Sequence, residues 1–258
     1  MMRAKRTVMN AWRTAAMTLV ALSALSAASA QNLVRDPSFE TTISTNNYGN
    51  PPTTWFVNQS FGSDANGDTN GTSQVWVVTS GSIDLVNGPN FGHPNGGGDQ
   101  FVELNGNNPG AIRQTVTVGV GGLYDFSFYY GGYAATESGL DAASDYVLSA
   151  RARIVDSSNN NVVHSAVVSW SIAAGGFNGS WINTPYMAQF VLPAGTYLIE
   201  FETLHLGGVD SNNNYIPDYF GPRIDGVNLS LVPEPASMLA LGAGLAGLLG
   251  LHRRRARG

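Results

Sequence analysis

Apolar and polar side chains alternate along much of this chain, and this period of two constrains its fold more than any other feature. In residues 123–130, Phe126 and Phe128 share one face of an extended strand, and Asp125 and Ser127 share the opposite face. Successive side chains of a β-strand point to opposite faces of the sheet, so one face can be buried while the other contacts water. The pattern therefore predicts half-buried antiparallel strands.

Ten segments of the sequence are predicted to form strands, and residues 146–154 and 195–204 show the clearest further alternation. The full set is 74–79, 82–86, 100–104, 111–118, 123–130, 146–154, 162–172, 187–192, 195–204 and 223–231. Clusters of Asn, Gly, Pro and Ser separate many of these segments, as at residues 87–89 and 193–195, and such residues form tight turns. The sequence therefore predicts an all-β fold, an antiparallel β-sandwich of the jelly-roll type.

The N-terminus has the organisation of a secretory signal. Four basic residues precede an apolar segment at residues 15–25, and the small residues Ala28 and Ala30 come just before Gln31. This order predicts a signal peptide over residues 1–30, a helix outside the fold that signal peptidase removes. A membrane-anchoring helix is the alternative, although the apolar segment is shorter than the ~20 residues that a membrane span needs.

The C-terminus, residues 232–258, has three parts in a fixed order. The tetrapeptide Val232, Pro233, Glu234 and Pro235 is followed by a glycine-interrupted apolar run and then by an arginine cluster. This arrangement resembles the PEP-CTERM sorting signal of Gram-negative bacteria that make exopolysaccharide. The resemblance implies a short apolar helix outside the fold, transient insertion into the inner membrane, and cleavage by an exosortase. A tail anchor that stays in the membrane is the alternative.

The body between the two ends, residues 31–231, is strongly acidic. The chain has 13 Lys and Arg and 18 Asp and Glu, but eight of the basic residues and one acidic residue lie in the two ends, which leaves a charge of 5 − 17 = −12. The body contains no lysine, and such a surface repels the phosphates of nucleic acid while it attracts divalent cations. Because the chain has no cysteine, its stability must come from packing and not from disulfides.

Short sequence segments of the body resemble galactose-binding-like domains, which include carbohydrate-binding modules. They are residues 32–40 at the opening strand, 98–104 at a central strand and 223–229 at the closing strand. The resemblance implies that the opening and closing strands lie side by side and hold a structural calcium ion through Glu40 and Asp225. Carboxylate oxygens suit calcium, a hard cation. An ion pair of Glu40 with one of the neighbouring arginines, Arg35 or Arg223, is the alternative.

Two further loops carry oxygen side chains at alternate positions. One places Asp210, Asn212, Asn214 and Asp218 around a backbone carbonyl at position 216, and residues 64–70 show the same spacing. Alternate spacing lets a tight loop direct its oxygens toward one calcium ion, although both loops lack the distal glutamate of an EF-hand. Runs of Asn, Asp and Gly are also ordinary turn formers, so a purely structural role stays open.

Aromatic residues in loops are the candidate contacts for sugar. A pyranose ring stacks on an exposed aromatic face, and Tyr133, Trp181 and Tyr219 fall between the predicted strands. Each could instead belong to the hydrophobic core, which is where most aromatic residues of a sandwich lie.

Catalytic motifs are absent from the sequence. It contains no Gly-x-Ser-x-Gly and no His-Glu-x-x-His, and Glu200 and Glu202 are a carboxylate pair on a strand face predicted to be solvated. We therefore expect a non-catalytic exported protein of the cell surface or exopolysaccharide matrix that binds polysaccharide or has a structural role. The alternative is a polysaccharide-acting enzyme, a glycosidase or lyase on a β-sandwich scaffold.

Overall fold

A computed structural model describes most of the predicted body. The described residues are 31–40, 53–57, 60–61, 75–87, 100–106, 108–132, 147–171, 181–205, 208–209, 215–216 and 221–233. They form strands, turns and extended segments, and no helix among them is long and apolar enough to cross a membrane. The two predicted terminal helices lie outside the described residues.

The described part of the chain contains fourteen strands. They are β1 Thr53–Val57, β2 Ser60–Phe61, β3 Trp76–Ser80, β4 Ser82–Asn87, β5 Gln100–Glu103, β6 Ala111–Val118, β7 Gly122–Gly131, β8 Val147–Asp156, β9 Val162–Ser171, β10 Tyr186–Leu192, β11 Gly195–Thr203, β12 Gly208–Val209, β13 Tyr215–Ile216 and β14 Arg223–Leu231. All ten predicted strands are present, and their ends agree to within two residues. The short strands β1, β2, β12 and β13 were not predicted from the sequence.

The strands form two large sheets and one small one. Sheet A has the order β1-β4-β5-β14-β7-β10, sheet B has the order β2-β3-β6-β11-β8-β9, and β12 pairs with β13. Every pairing for which a residue register is defined is antiparallel. The ring centroids of Phe128 on sheet A and Phe201 on sheet B lie 5.0 Å apart, so the inner faces of the two sheets pack together. The prediction of an antiparallel β-sandwich is confirmed.

The core lies between the sheets, where the alternating pattern directs its apolar side chains. In β7, Phe126 and Phe128 are fully buried while Asp125 and Ser127 are only half-buried, as their spacing predicts. Trp76 of β3 joins this core, with its ring centroid 6.2 Å from that of Phe201. Fully burying one such side chain contributes roughly 1.5–3 kcal/mol, so this aromatic layer is a major source of stability in a protein without disulfides.

The opening segment lies beside the closing strand, as the resemblance implied, but most of it is not a strand. The backbone N–H of Leu33 donates to the Leu229 carbonyl (2.8 Å), and the N–H of Val227 donates to the Pro37 carbonyl (2.8 Å). Between these contacts Asp36 (φ 46°) and Phe39 (φ 59°) adopt left-handed conformations that interrupt an extended chain. The predicted opening strand over residues 32–40 is therefore corrected to a turn that hydrogen bonds hold against β14.

Residues Leu33–Leu229 form one compact unit. In the second unit, made from the two chain ends, Asn32 forms an antiparallel bridge with Ser230. The boundaries of the signal peptide and of the sorting segment stay predictions.

Candidate functional site

The side of sheet A that points away from sheet B carries an unusual set of buried side chains; we call this side outer face A. Register places Asp84 of β4 opposite Glu103 of β5, and Glu103 opposite Arg223 of β14. Val86 lies opposite Phe101 in the neighbouring row. Directly paired residues of adjacent strands share a face. Their neighbours on each strand, such as Ile83 and Val102, are fully buried in the core. We define the outer cluster as Asp84, Val86, Phe101, Glu103, Tyr129, Trp181 and Arg223.

An ion pair lies at the centre of the outer cluster. Arg223 Nε donates to Glu103 Oε2 at 3.3 Å, and the guanidinium carbon lies 4.6 Å from the centroid of the Phe101 ring. The backbone N–H of Gly221 donates to the other Glu103 oxygen at 3.0 Å. Burial raises the pKa of Glu103, while the Arg223 charge and the two hydrogen bonds oppose that shift. The carboxylate is thus held in place from two sides.

Asp84 lies beside this ion pair. The residues directly opposite it, Glu103 on β5 and Trp55 on β1, are not cations. Burial and, to a smaller extent, the negative charge of Glu103 opposite together raise the pKa of Asp84 to about 7. At neutral pH this carboxyl is therefore divided between a proton-donating and a proton-accepting form. Such a group can exchange hydrogen bonds with hydroxyls in either role.

Aromatic rings complete the outer cluster. Trp181 packs edge-on against Phe101 with ring centroids 5.4 Å apart, and only 8% of its surface is exposed. A backbone bridge to Gly131 holds Trp181 over the sheet. Its burial weighs against the prediction that it stacks on sugar, which stays untested. Tyr129 is half-buried and packs against the same cluster.

Gly226 permits the close approach of Tyr129 to β14. Its φ of +58° is a left-handed conformation, and a Cβ atom at this position would lie 2.8 Å from Cδ2 of Tyr129. A larger residue would therefore both strain the backbone and displace the ring. The position of Tyr129 at the border of the outer cluster depends on this glycine.

The corresponding side of sheet B, which we call outer face B, is organised differently. Arg151 pairs with Glu202 (3.0 Å), and Arg153 pairs with Glu200 (3.1 Å) and Glu202 (3.6 Å). These four side chains keep between about a fifth and two fifths of their surface exposed. Glu200 and Glu202, the carboxylate pair of the sequence, therefore share a face, as predicted, and are engaged in ion pairs across the strands.

Acidic residues meet where the opening turn contacts β14 and β5. Glu40 Oε1 accepts a hydrogen bond from the backbone N–H of Gln100 at 2.7 Å, and Asp225 Oδ1 accepts one from Gly226 at 2.6 Å. The pKa of Asp225 is raised to about 9. Burial is the main cause, the Gly226 hydrogen bond lowers the pKa, and the charges of Glu40 and Asp36 raise it. The three carboxyl groups repel one another, so a cation near them would relieve the repulsion.

The residues of this junction fit a calcium ion in their chemistry. Asp225 Oδ2 is buried and accepts no hydrogen bond from the protein, and such an oxygen suits a hard cation. Among the residues that the structure describes, no three His, Asp or Glu side chains are grouped to hold a metal. Calcium would therefore take Glu40 and Asp225 together with backbone carbonyls. Arg223, one of the two alternative partners of Glu40, forms an ion pair with Glu103, and the pairing of Glu40 with an arginine stays a prediction.

Several predicted site residues fall outside the part of the chain that is described. They are the sugar candidates Tyr133 and Tyr219, the calcium candidates Asp210, Asn212, Asn214 and Asp218, the loop 64–70, and Glu234 and Pro235 of the tetrapeptide. Val232 and Pro233 directly follow β14. The roles of all these residues stay predictions.

Sequence reasoning named Trp181 as a sugar candidate but missed the charged centre of the outer cluster. Asp84, Glu103 and Arg223 are far apart in the chain, and each looks like an ordinary solvated residue of an alternating strand. One signal was available, because β5 carries Gln100 and Glu103 at either end of an otherwise apolar strand. All four residues of β5 are buried, so both of its faces are covered.

Comparison with known proteins identifies the C-terminal segment. Residues 231–255 match the family described as the PEP-CTERM protein-sorting motif. The tail is a PEP-CTERM sorting motif. The resemblance seen in the sequence is confirmed, and the motif implies export through the inner membrane, processing by an exosortase and surface display. No curated protein matches the chain.

Solved structures similar to this chain include several carbohydrate-binding modules. A family 35 module from Clostridium thermocellum is 16% identical with a TM-score of 0.36, and the match covers 61% of this chain and 92% of that one. The module TmCBM61 in complex with β-1,4-galactotriose is 12% identical with a TM-score of 0.37, and the match covers 78% and 99%. A family 35 module from Paenibacillus barcinonensis is 14% identical with a TM-score of 0.34, over 61% and 93%.

Proposed function

We propose that this exported protein is non-catalytic and binds carbohydrate through outer face A. The observation that carries the proposal is the outer cluster itself. The outward side of a β-sandwich strand normally carries solvated polar residues, whereas this one gathers aromatic rings, a buried ion pair and a carboxyl with a pKa near 7. Aromatic rings and fixed polar groups are the two components from which sugar sites are built.

The border of the outer cluster supplies the groups that a sugar would meet first. Tyr129 and Asp84 are only half-buried, in contrast to Arg223 and Trp181. One sugar ring of the polysaccharide would stack on Tyr129, and a neighbouring unit of the same polysaccharide would exchange hydrogen bonds with Asp84, which lies three strands away in sheet A. The Glu103–Arg223 pair would hold the sheet face rigid beneath them, which lowers the entropic cost of binding.

Binding is tested with residues 31–231 and polysaccharide from the producing cells in affinity electrophoresis. We expect the wild-type protein to be retarded and Tyr129→Ala to bind about tenfold more weakly, which corresponds to about 1.4 kcal/mol. Leu123→Ala is the matched control, because Leu123 lies on the same strand and the same face and is exposed. Equal retardation of the wild type and Tyr129→Ala would contradict this assignment of the binding face.

We also propose a structural calcium ion at the junction of Glu40 and Asp225. Calcium should raise the melting temperature of the wild-type protein, and Glu40→Gln should remove most of that increase, since a ligand stabilises only the state that binds it. Glu202→Gln, an acidic residue already paired with arginine, is the control. A calcium-induced increase that is unchanged in Glu40→Gln would exclude this role. So would a wild-type protein that does not respond to calcium.

A polysaccharide-acting enzyme is the second candidate, because Asp84 and Glu103 are directly paired carboxyl groups and one has a pKa near neutrality. The burial of Glu103 and its ion pair with Arg223 favour a structural role instead. Incubation with the same polysaccharide should release neither reducing ends nor unsaturated products. Release of either one would replace the binding proposal with a glycosidase or a lyase.

After exosortase processing, we propose that the body is retained in the exopolysaccharide matrix or at the cell surface by its own binding. Replacing Pro233, Glu234 and Pro235 by alanine should leave an unprocessed, membrane-associated chain in cell fractions. A replaced chain that still matures and reaches the surface would contradict processing at this motif.

A further inference from the structure

Two edge strands lie on the same side of the sandwich. In the described part of the chain, β10 is the last strand of sheet A and β9 is the last strand of sheet B. Nε2 of His164 on β9 forms a hydrogen bond of 2.8 Å with Oη of Tyr186 on β10, and the His164 ring stacks on Phe190 at 4.8 Å. These contacts close the space between the two sheets, and the outward sides of both strands remain at the surface.

The two edge strands carry no formal charge of their own; the nearest charges, Arg151 and Arg153 opposite Val167 and Ser165, are paired with Glu202 and Glu200. No Asp, Glu, Lys or Arg occurs from residue 157 to residue 199, a run that includes β9, β10 and the start of β11. The rest of the body carries the net charge of about −12 derived above. Two copies of such a body repel each other on most of their surface. The uncharged edge is where a second copy can approach at the lowest electrostatic cost.

The devices that normally protect a free strand edge are mostly missing from β9. Natural edge strands are kept apart by lysine, proline, inward-pointing charges or bulges. β9 has no proline and no charged residue; its one irregularity is a register shift opposite Ile154 and Val155. From His164 to Trp170 the pairing with β8 is regular, so this stretch can accept a further strand on its other side.

Apolar side chains are exposed along the same edge. Val167 on β9 is 58% exposed, and on β10 Met187 and Val191 are 69% and 67% exposed. Val167 lies near the middle of the regular stretch of β9, and it points to outer face B with Ser165 and Ser169 on either side. This short row of serines and valine is self-complementary under a two-fold rotation.

We propose that two copies of this protein associate by antiparallel pairing of β9 with β9 about a two-fold axis at Val167. Val167 then lies against its own equivalent, and Ser165 of one copy lies opposite Ser169 of the other. Sheet B becomes continuous across the dimer, and the contact is isologous, as in most homodimers. A pairing confined to residues 164–170 buries less than the roughly 1,200–2,000 Å² of stable complexes, so we expect dissociation in the micromolar range.

Such weak pairing becomes effective where many copies are held close together. Chains displayed on a surface or bound along one polysaccharide have a high effective concentration, which compensates for a small interface. The dimer would present two copies of outer face A. The inference does not depend on carbohydrate binding, because it uses the opposite sheet and different residues.

The first test is sedimentation velocity of residues 31–231, which contain the whole compact unit Leu33–Leu229. Wild-type protein should shift from monomer to dimer with increasing concentration. Val167→Lys places two like charges at the axis and should weaken the dimer at least tenfold. Val120→Lys makes the same change at an exposed residue outside the strands, 63% accessible, and should have no effect. A wild type that stays monomeric at its highest soluble concentration overturns the proposal.

The second test uses the absence of native cysteine. Antiparallel neighbours have Cα atoms about 4.5 or 5.5 Å apart, which is within the range of a disulfide. Val167→Cys should therefore form a covalent dimer on mild oxidation, whereas Ser165→Cys and Val120→Cys should not. Equal cross-linking of all three variants overturns the pairing. A dimer broken by Val191→Lys but not by Val167→Lys also overturns it, in favour of β10.

Discussion

The two outer faces of this sandwich use similar residues for different purposes. Outer face B pairs Arg153 with Glu200 on adjacent strands that stay partly in water. Outer face A pairs Arg223 with Glu103 in a position where both side chains are more than nine-tenths buried. A solvated ion pair contributes little to stability, whereas a buried pair cannot lose one partner without a large cost. Burial, and not the identity of the charged residues, thus distinguishes a solvated surface from a candidate site.

The largest expected difference between the faces comes from removing Arg223. Arg223→Met leaves Glu103 buried without its cation and should lower the free energy of unfolding by about 3–5 kcal/mol. Urea denaturation measures this quantity. If the loss is under about 1 kcal/mol, as is typical of exposed pairs, the two faces do not differ in the way described.

Trp181 tests whether the outer cluster is a second, smaller core. Trp181→Ala removes a buried ring that packs on Phe101, and we expect the free energy of unfolding to fall by about 3 kcal/mol. Trp181→Phe should recover part of that loss. If Trp181→Ala unfolds at the wild-type urea concentration but loses polysaccharide binding, the ring is a sugar contact, as the sequence predicted.

Asp84 makes the stability of the folded protein depend on pH. Its folded-state pKa of about 7 lies above the ordinary value of 3.8 for an aspartate, so between these values the folded state holds a proton that the unfolded state has lost. This contribution to stability is complete below pH 3.8 and is lost as the pH rises through 7.

Asp84→Asn should therefore stabilise the protein at pH 8 by roughly 1–3 kcal/mol and flatten the profile of stability between pH 4 and 7. Melting temperatures across that range measure the effect. Asp125→Asn, on the same face but paired with Gln189, is the control. An unchanged slope in Asp84→Asn would mean that the carboxyl titrates as it does in the unfolded chain.

The smallest effect is expected on outer face B. Arg153→Met breaks two partly solvated ion pairs and should cost no more than about 1 kcal/mol in urea denaturation. Salt should reduce this difference further, because mobile ions screen exposed charges. A loss as large as that of Arg223→Met would remove the contrast between the faces.

The sequence predicted the elements of the fold that have one buried face. β6, β7 and β11 alternate clearly, because one side of each strand meets the core and the other side meets water. The short strands β1 and β2 were missed, since two to five residues are too few to show a period. The opening turn was also missed, because Asp36 and Phe39 adopt conformations that residue type does not favour.

The candidate site was less predictable because it depends on register. Asp84, Glu103 and Arg223 become neighbours only when β5 is inserted between β4 and β14, and residues 103 and 223 are 120 positions apart in the chain. A strand that is buried on both faces, such as β5, does not alternate between apolar and polar residues. The sequence therefore does not show which of its side chains share a face. The acidic junction is predictable from the family resemblance, which implies that Glu40 and Asp225 lie side by side.

Hydroxyl-radical footprinting with and without the polysaccharide tests the carbohydrate-binding face most directly, because it reports each face in the same sample. Tyr129 is the reporter on outer face A, and Leu198, half-buried on β11, is the reporter on outer face B. We predict that the polysaccharide protects Tyr129 from oxidation and leaves Leu198 unchanged. Protection of Leu198 with no change at Tyr129 would contradict the account.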